Sequence, residues 1–165
     1  MANTDRLALP LLTAGQAQKE VTHNEALALA DMLMQPVVQS VAPASIPTTP
    51  VFGQCWIVGT GATGVWAGYD GAIAGWTSGG WRFAAPQEGM QVWSIADGVF
   101  VRRAGVAWLI GVQTAKTILV NGAQIIGAQQ ASIPTPSGGT TIDTQARSAI
   151  TAVLAALSAH GLIAT

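Results

Sequence analysis

Between Val51 and Ile126 the chain consists of short runs rich in Val, Ile and Trp, and glycine interrupts each of them within a few residues. Short apolar runs bounded by turn residues read as β-strands joined by tight turns, not as helices. Two stretches repeat one device. "GAIAGWTSGGW" from Gly71 and "GVFVRRAGVAW" from Gly98 each carry a Gly, a short apolar strand, a Gly-containing turn and a Trp opening the return strand. They are expected to be β-hairpins, too few in copy for a solenoid. "TILVNGAQIIG" adds a third, with Asn121-Gly122 suited to the two positive φ angles of a type I′ turn.

The flanks have a helical pattern. Residues from Thr22 to Gln35 are predicted as a helix, with Thr22 and Glu25 in the T-x-x-E spacing of a capping box and Pro36 ending it. Leu27, Leu29, Ala30, Leu33 and Met34 make this helix apolar nearly all round, which predicts burial, in part against other chains. At the other end Asp143 is a predicted N-cap. Ile142, Ala146, Ile150, Val153 and Leu157 form a narrow apolar stripe, and Gly161 is expected just past the helix end. The fold class is therefore mixed α and β: an N-terminal helix, a central Trp/Gly-rich antiparallel β-hairpin region and a C-terminal helix. The expected organisation is a helical assembly and docking segment over 1–42 and a Pro-rich linker over 43–50. A β-hairpin domain over 51–130, a loop over 131–142 and an oligomerisation helix over 143–165 follow.

Charge restricts function. Seven basic and eight acidic side chains give a net charge of −1 and make up 9% of the 165 residues, against about a quarter in an ordinary domain. Such a chain has no electrostatic footprint for nucleic acid and no basic run for an anionic membrane. No apolar run approaches the roughly 20 residues of a membrane span, and the N-terminus does not read as a secretory signal. Production in the cytoplasm is expected. With 50% hydrophobic residues and so little charge, the surplus apolar surface is expected to be covered by copies of the same chain. A trimer is favoured and a pentamer is the alternative.

Enzyme chemistry finds little to work with. "KEVTHNE" holds one histidine where a zinc helix needs two, four residues apart. His160 lies at the far end of the chain, at a predicted helix C-terminus. Asp70, Glu88, Asp97 and Asp143 are isolated, whereas glycoside cleavage needs two carboxylates about one bond. Turn duty is the expectation for these acids. Cys55 stands alone among apolar neighbours and is expected to be a buried structural thiol. "GTGATG" from Gly59 opens no helix and reads as a hairpin tip, not a phosphate loop. No cofactor, metal or catalytic residue is expected.

The six tryptophans, all in the β-region, are the remaining signal. An indole offers a flat face and one N–H donor, which suits packing under a sheet and equally suits stacking on a sugar ring. Trp76 and Trp81 flank "TSGG" at a predicted hairpin tip. The candidate carbohydrate-binding residues are Trp76, Trp81 and Trp66, with Tyr69, Asp70 and Arg82 as polar partners.

"LPLLTAGQAQKEVTHNEAL" and "GATGVWAGYDGAIAGWTSGGWRFAAPQEG" resemble a family long described only as a domain of unknown function, widespread in alphaproteobacterial prophages and gene transfer agents. "GGTTIDTQARSAITAVLAALSAHGLI" is similar to the end of phage fibre proteins of the same group. The resemblance implies a non-enzymatic component at the surface of a phage-like particle: a head spike or short tail fibre subunit that promotes adsorption to bacterial capsular polysaccharide. It implies docking to a capsid or tail protein, or the carriage of a longer receptor-binding fibre. Gln16, Gln18, Lys19, His23, Asn24 and Glu25 match the family signature and are the candidate assembly and docking residues. A carbohydrate-binding module and a polysaccharide-degrading enzyme are the alternatives.

Overall fold

The computed structural model describes residues 2–12, 15 and 19–164. It is a mixed α/β structure with a helix near each end, and it divides into two compact units, Met1–Gln113 and Thr114–Thr165.

In the first unit, helix α1 spans Lys19–Leu33 and leads directly into a two-residue strand, β1, Val37–Val38. Thr22 and Glu25 therefore lie inside the helix, not at its start, and the expected capping box does not form. Glu25 is used elsewhere, as described below. Gln35 takes a positive φ of 49° and Pro36 stops the helix, which turns the chain into the sheet. Then come β2 (Cys55–Ile57), β3 (Ile73–Thr77), β4 (Gly80–Ala84), β5 (Gln91–Ser94), β6 (Val99–Ala104) and β7 (Ala107–Ile110).

The repeated device folds as predicted twice, and its two copies enter different sheets. Hairpin β3–β4 pairs with β2 in a three-stranded antiparallel sheet. Hairpin β6–β7 joins a four-stranded sheet of order β1-β5-β6-β7, in which β1 runs parallel to β5 and the other pairs are antiparallel. The β1–β5 pair departs from the antiparallel pattern, as does an isolated parallel bridge between Val41 and Ile57, and both recruit residues from the segment expected to be helical.

One core contains Val38, Ile57, Ile73, Val92 and Val101 with Met32 of α1. Gly75 leaves room for that contact: a Cβ on it would stand 2.7 Å from the Met32 sulfur, so its absence lets the Met32 side chain of α1 lie on β3. A second cluster, Trp56, Val58, Trp66 and Ala74, is flanked by Ile46 of the Pro-rich stretch and by Trp76, Trp81 and Phe83. Residues alternate between the two clusters along β2 and β3. The three-stranded sheet is thus buried on both faces, which is why β2 reads as a continuous apolar run.

The second unit has hairpin β8–β9 (Ile118–Val120, Ala123–Ile126) and helix α2 (Thr144–Ala159). Asn121 and Gly122 take φ of 49° and 80°, the type I′ turn read from the dipeptide. Asp143 caps α2 by accepting from the Ala146 N–H at 2.8 Å, and Gly161, at φ 69°, follows the C-cap residue His160. Every residue of β8 and β9 is exposed, and no residue of α2 is buried.

Candidate functional site

The polar residues of the N-terminal signature divide by role. Asn24 reads the backbone of the N-terminal arm like a paired strand: its Oδ1 accepts from the Leu12 N–H at 3.0 Å and its Nδ2 donates to the Leu12 carbonyl at 3.1 Å. His23 holds a local bond through Nδ1 with the Lys19 carbonyl at 2.9 Å. Gln16 and Gln18 lie outside the described residues. Asp31, which the sequence reading did not single out, is 3% exposed and accepts from the N–H groups of Arg6 at 2.8 Å and Leu7 at 2.6 Å. In return Arg6 donates to the carbonyls of Asp31, Met32 and Gln35. Asp31 and Met32 lie in the last turn of α1, whose carbonyls lack intrahelical donors, and Gln35 lies just beyond it, so Arg6 caps the C-terminal end of α1. Arm and helix hold each other.

Glu25 and Arg82, expected in two different sites, meet in one ion pair. Arg82 donates through Nε and Nη2 to the two Glu25 oxygens, both at 2.6 Å, and ties α1 to β4. The Arg82 hydrogen bond holds the Glu25 carboxyl below its ordinary 4.5 and raises the guanidinium. A depressed carboxylate stabilises the fold above its unfolded value and loses that contribution as pH falls through the folded one. Both side chains are partly exposed, so the pair is worth at most about 1 kcal/mol. Glu25→Gln is expected to cost that much near pH ~7 and less at pH ~3, by denaturant titration at the two pH values. An equal cost at both would mean the pair does not form.

The tryptophans chosen as a sugar platform pack chiefly on one another. Trp81 is the hub: its ring lies 5.7 Å from Trp56, 5.2 Å from Trp66 and 5.1 Å from Trp76. Trp66 is 2% exposed, so its ring is covered, while Trp76 and Trp81 are half-buried. Tyr69 is the accessible ring, 44% exposed and stacked on Phe83 at 3.7 Å with planes 9° apart. One face rests on Phe83 and the other is open. Asp70 closes the "GTGATG" loop by accepting from the Gly61 and Ala62 N–H groups at 2.7 and 3.1 Å. The other acids also serve backbone or turn: Glu88 accepts from the Gly105 N–H, and Asp97 from the Ser94 hydroxyl.

Trp93 and Phe100 form a second exposed aromatic pair, edge to face at 5.0 Å on the outer side of the four-stranded sheet. Sequence reasoning missed them. The signal was the alternation of exposed and buried residues along β5.

Among the described residues no group of three or more His, Cys, Asp or Glu side chains is placed to hold a metal ion. No described helix is long and apolar enough to cross a membrane. Cys55 is buried, and burial pushes its thiol up to about 11, away from the thiolate a nucleophile needs.

These features define a two-unit α/β chain with a pinned N-terminal arm, an aliphatic and an aromatic core cluster on the two faces of a three-stranded sheet, and an exposed C-terminal hairpin and helix. The chain belongs to the family described as a protein of unknown function, DUF2793, which matches residues 23–109, just over half of its length. Comparison with curated proteins gives no match.

Proposed function

We propose that the protein is a non-enzymatic, homo-oligomeric subunit of a phage-like particle, a head spike or short tail fibre that promotes adsorption to bacterial surface polysaccharide. The observation that carries this reading is the second unit. An isolated two-stranded hairpin and a 16-residue helix are each marginal in water. Here Ile118, Leu119, Val120, Ile150 and Val153 are all exposed, and among the described residues of this unit Ile163 is the one buried hydrophobic side chain. A unit of this size needs a core to hold its shape. Self-association supplies one, and α2, which carries Arg147 as its one charged side chain, sets no charge against a copy of itself. The open face of Tyr69, whose ring is stacked on Phe83, supports the sugar-binding half of the reading.

Sedimentation equilibrium of the full chain is expected to give a stable multimer at micromolar concentration, with a trimer favoured. Pull-down on encapsulated cells and on isogenic cells lacking capsule is expected to give capsule-dependent binding. A monomer with no particle association would remove the structural reading. A multimer that binds neither cell type would make the subunit a mounting base for a longer fibre.

A further inference from the structure

A cavity of about 580 Å³ opens in the first unit between the end of β2 and the β6–β7 turn. Its volume lies within the roughly 300–1,000 Å³ of small-ligand sites. Arg103 lines it, with its guanidinium carbon 5.9 Å above the Trp108 ring. Trp108 is fixed by its own N–H, which donates to the Gly71 carbonyl at 2.8 Å. Gly71, at φ 74°, has no side chain to obstruct the cation: a Cβ there would lie 3.1 Å from Arg103 Nη1. The guanidinium is thus supported on one side by an indole and on another by bare backbone. Among the described residues no carboxylate lies within ion-pair reach of it and no carbonyl accepts from it. A half-buried planar cation with five donors and no protein acceptor is a ready seat for a carboxylate. Asp70 and Thr60 line the same cavity, and Val106 at the rim is 94% exposed, so the mouth is open to solvent.

We infer that this cleft binds an acidic sugar residue, a uronate within a polysaccharide, whose carboxylate forks onto Arg103 while its ring hydroxyls donate to Asp70 and exchange hydrogen bonds with Thr60. The inference rests on the adsorption reading above and gives it a ligand class. A uronate presents one carboxylate beside several hydroxyl donors, which matches a cation and an anion sharing one cleft. An acidic peptide brings negative charge towards Asp70 without those donors. Trp108 acts as a positioning residue, since its ring face carries Arg103.

The test is calorimetric titration of the full chain with a galacturonate hexasaccharide, with maltohexaose as the neutral control and polyglutamate as the acidic peptide. Arg103→Gln and Arg103→Lys are compared with the parent, and circular dichroism confirms their fold. The galacturonate is expected to bind, to weaken with added salt, and to lose about tenfold or more in affinity in Arg103→Gln, with partial recovery in Arg103→Lys. Equal binding of maltohexaose, insensitive to Arg103, would overturn the inference and leave sugar binding elsewhere on the chain. Arg103-dependent binding of polyglutamate but not galacturonate would make this a peptide site and overturn it too. Should neither glycan bind while capsule-dependent cell adsorption persists equally in parent and Arg103→Gln, the inference falls and the adsorption reading stands. Absence of both glycan binding and cell adsorption in the parent removes both.

Discussion

Trp81→Ala is expected to destabilise the first unit by about 3–4 kcal/mol, the range for deleting a large aromatic side chain from a packed cluster. Trp81 is the ring that Trp56, Trp66 and Trp76 all contact. Its removal therefore opens a cavity beneath the three-stranded sheet and forfeits three aromatic contacts, each worth roughly 0.5–1.5 kcal/mol beyond area burial. Urea titration followed by tryptophan fluorescence measures the loss. The consequence for ligand studies is practical. Weakened glycan binding in Trp81→Ala would report a damaged sheet before it reported a missing sugar contact. Tyr69→Ala is the sharper probe, because Tyr69 has an open face and removal of its ring gives up one stacking partner, at about 1 kcal/mol. A Trp81→Ala variant as stable as its parent would mean that the four rings do not form one packed unit.

Asp31→Ala is expected to cost about 3 kcal/mol and to release the N-terminal arm, because it leaves two backbone N–H groups without their acceptor. The carboxylate serves the Arg6 and Leu7 N–H groups at once. With the arm loosened, Arg6 also leaves the carbonyls of Asp31, Met32 and Gln35 at the end of α1. Asp31→Asn is expected to recover less than half of the loss: the amide has one oxygen, and its NH₂ must face the other N–H, donor against donor. Amide exchange separates this from general destabilisation. Protection should fall first at Arg6, Leu7 and Leu9 and only later in β3 and β6. Uniform loss of protection across the unit would mean that the arm and the sheets open as one.

The elements that sequence patterns anticipated are those whose causes are local. Asp143 caps α2 three residues ahead of the N–H it serves, and Asn121-Gly122 turns the chain within its own two φ angles. The repeated hairpins fold from glycine and Trp positions inside eleven-residue stretches such as "GAIAGWTSGGW". The misplaced capping box at Thr22 and Glu25 shows the limit. The motif is compatible with a helix start, and an arginine 57 residues away takes the glutamate instead.

The candidate site was legible in residue type but not in arrangement. Tyr69, Asp70, Trp76, Trp81 and Arg82 stand out by their chemistry, yet nothing local separates an open ring from a covered one. β2 and β3 are buried on both faces, and β4, which carries Trp81, is half-buried along nearly its whole length, so none of them shows the alternation that would have told Trp76 and Trp81 apart from lining residues. The seat of Arg103 could not be read at all: it needs Trp108 from the same hairpin and Gly71 from a loop 37 residues earlier. Chain order thus sufficed wherever a hydrogen bond or a φ preference acts within a few residues, which covers the existence of both helices, the hairpins and the Asp143 cap of α2. The pairing of β1 with β5, the Asp31 clasp, the Glu25–Arg82 tie and the Arg103 cleft join distant segments, and they came into being when burial of Met32, Val38 and the tryptophans brought those segments together.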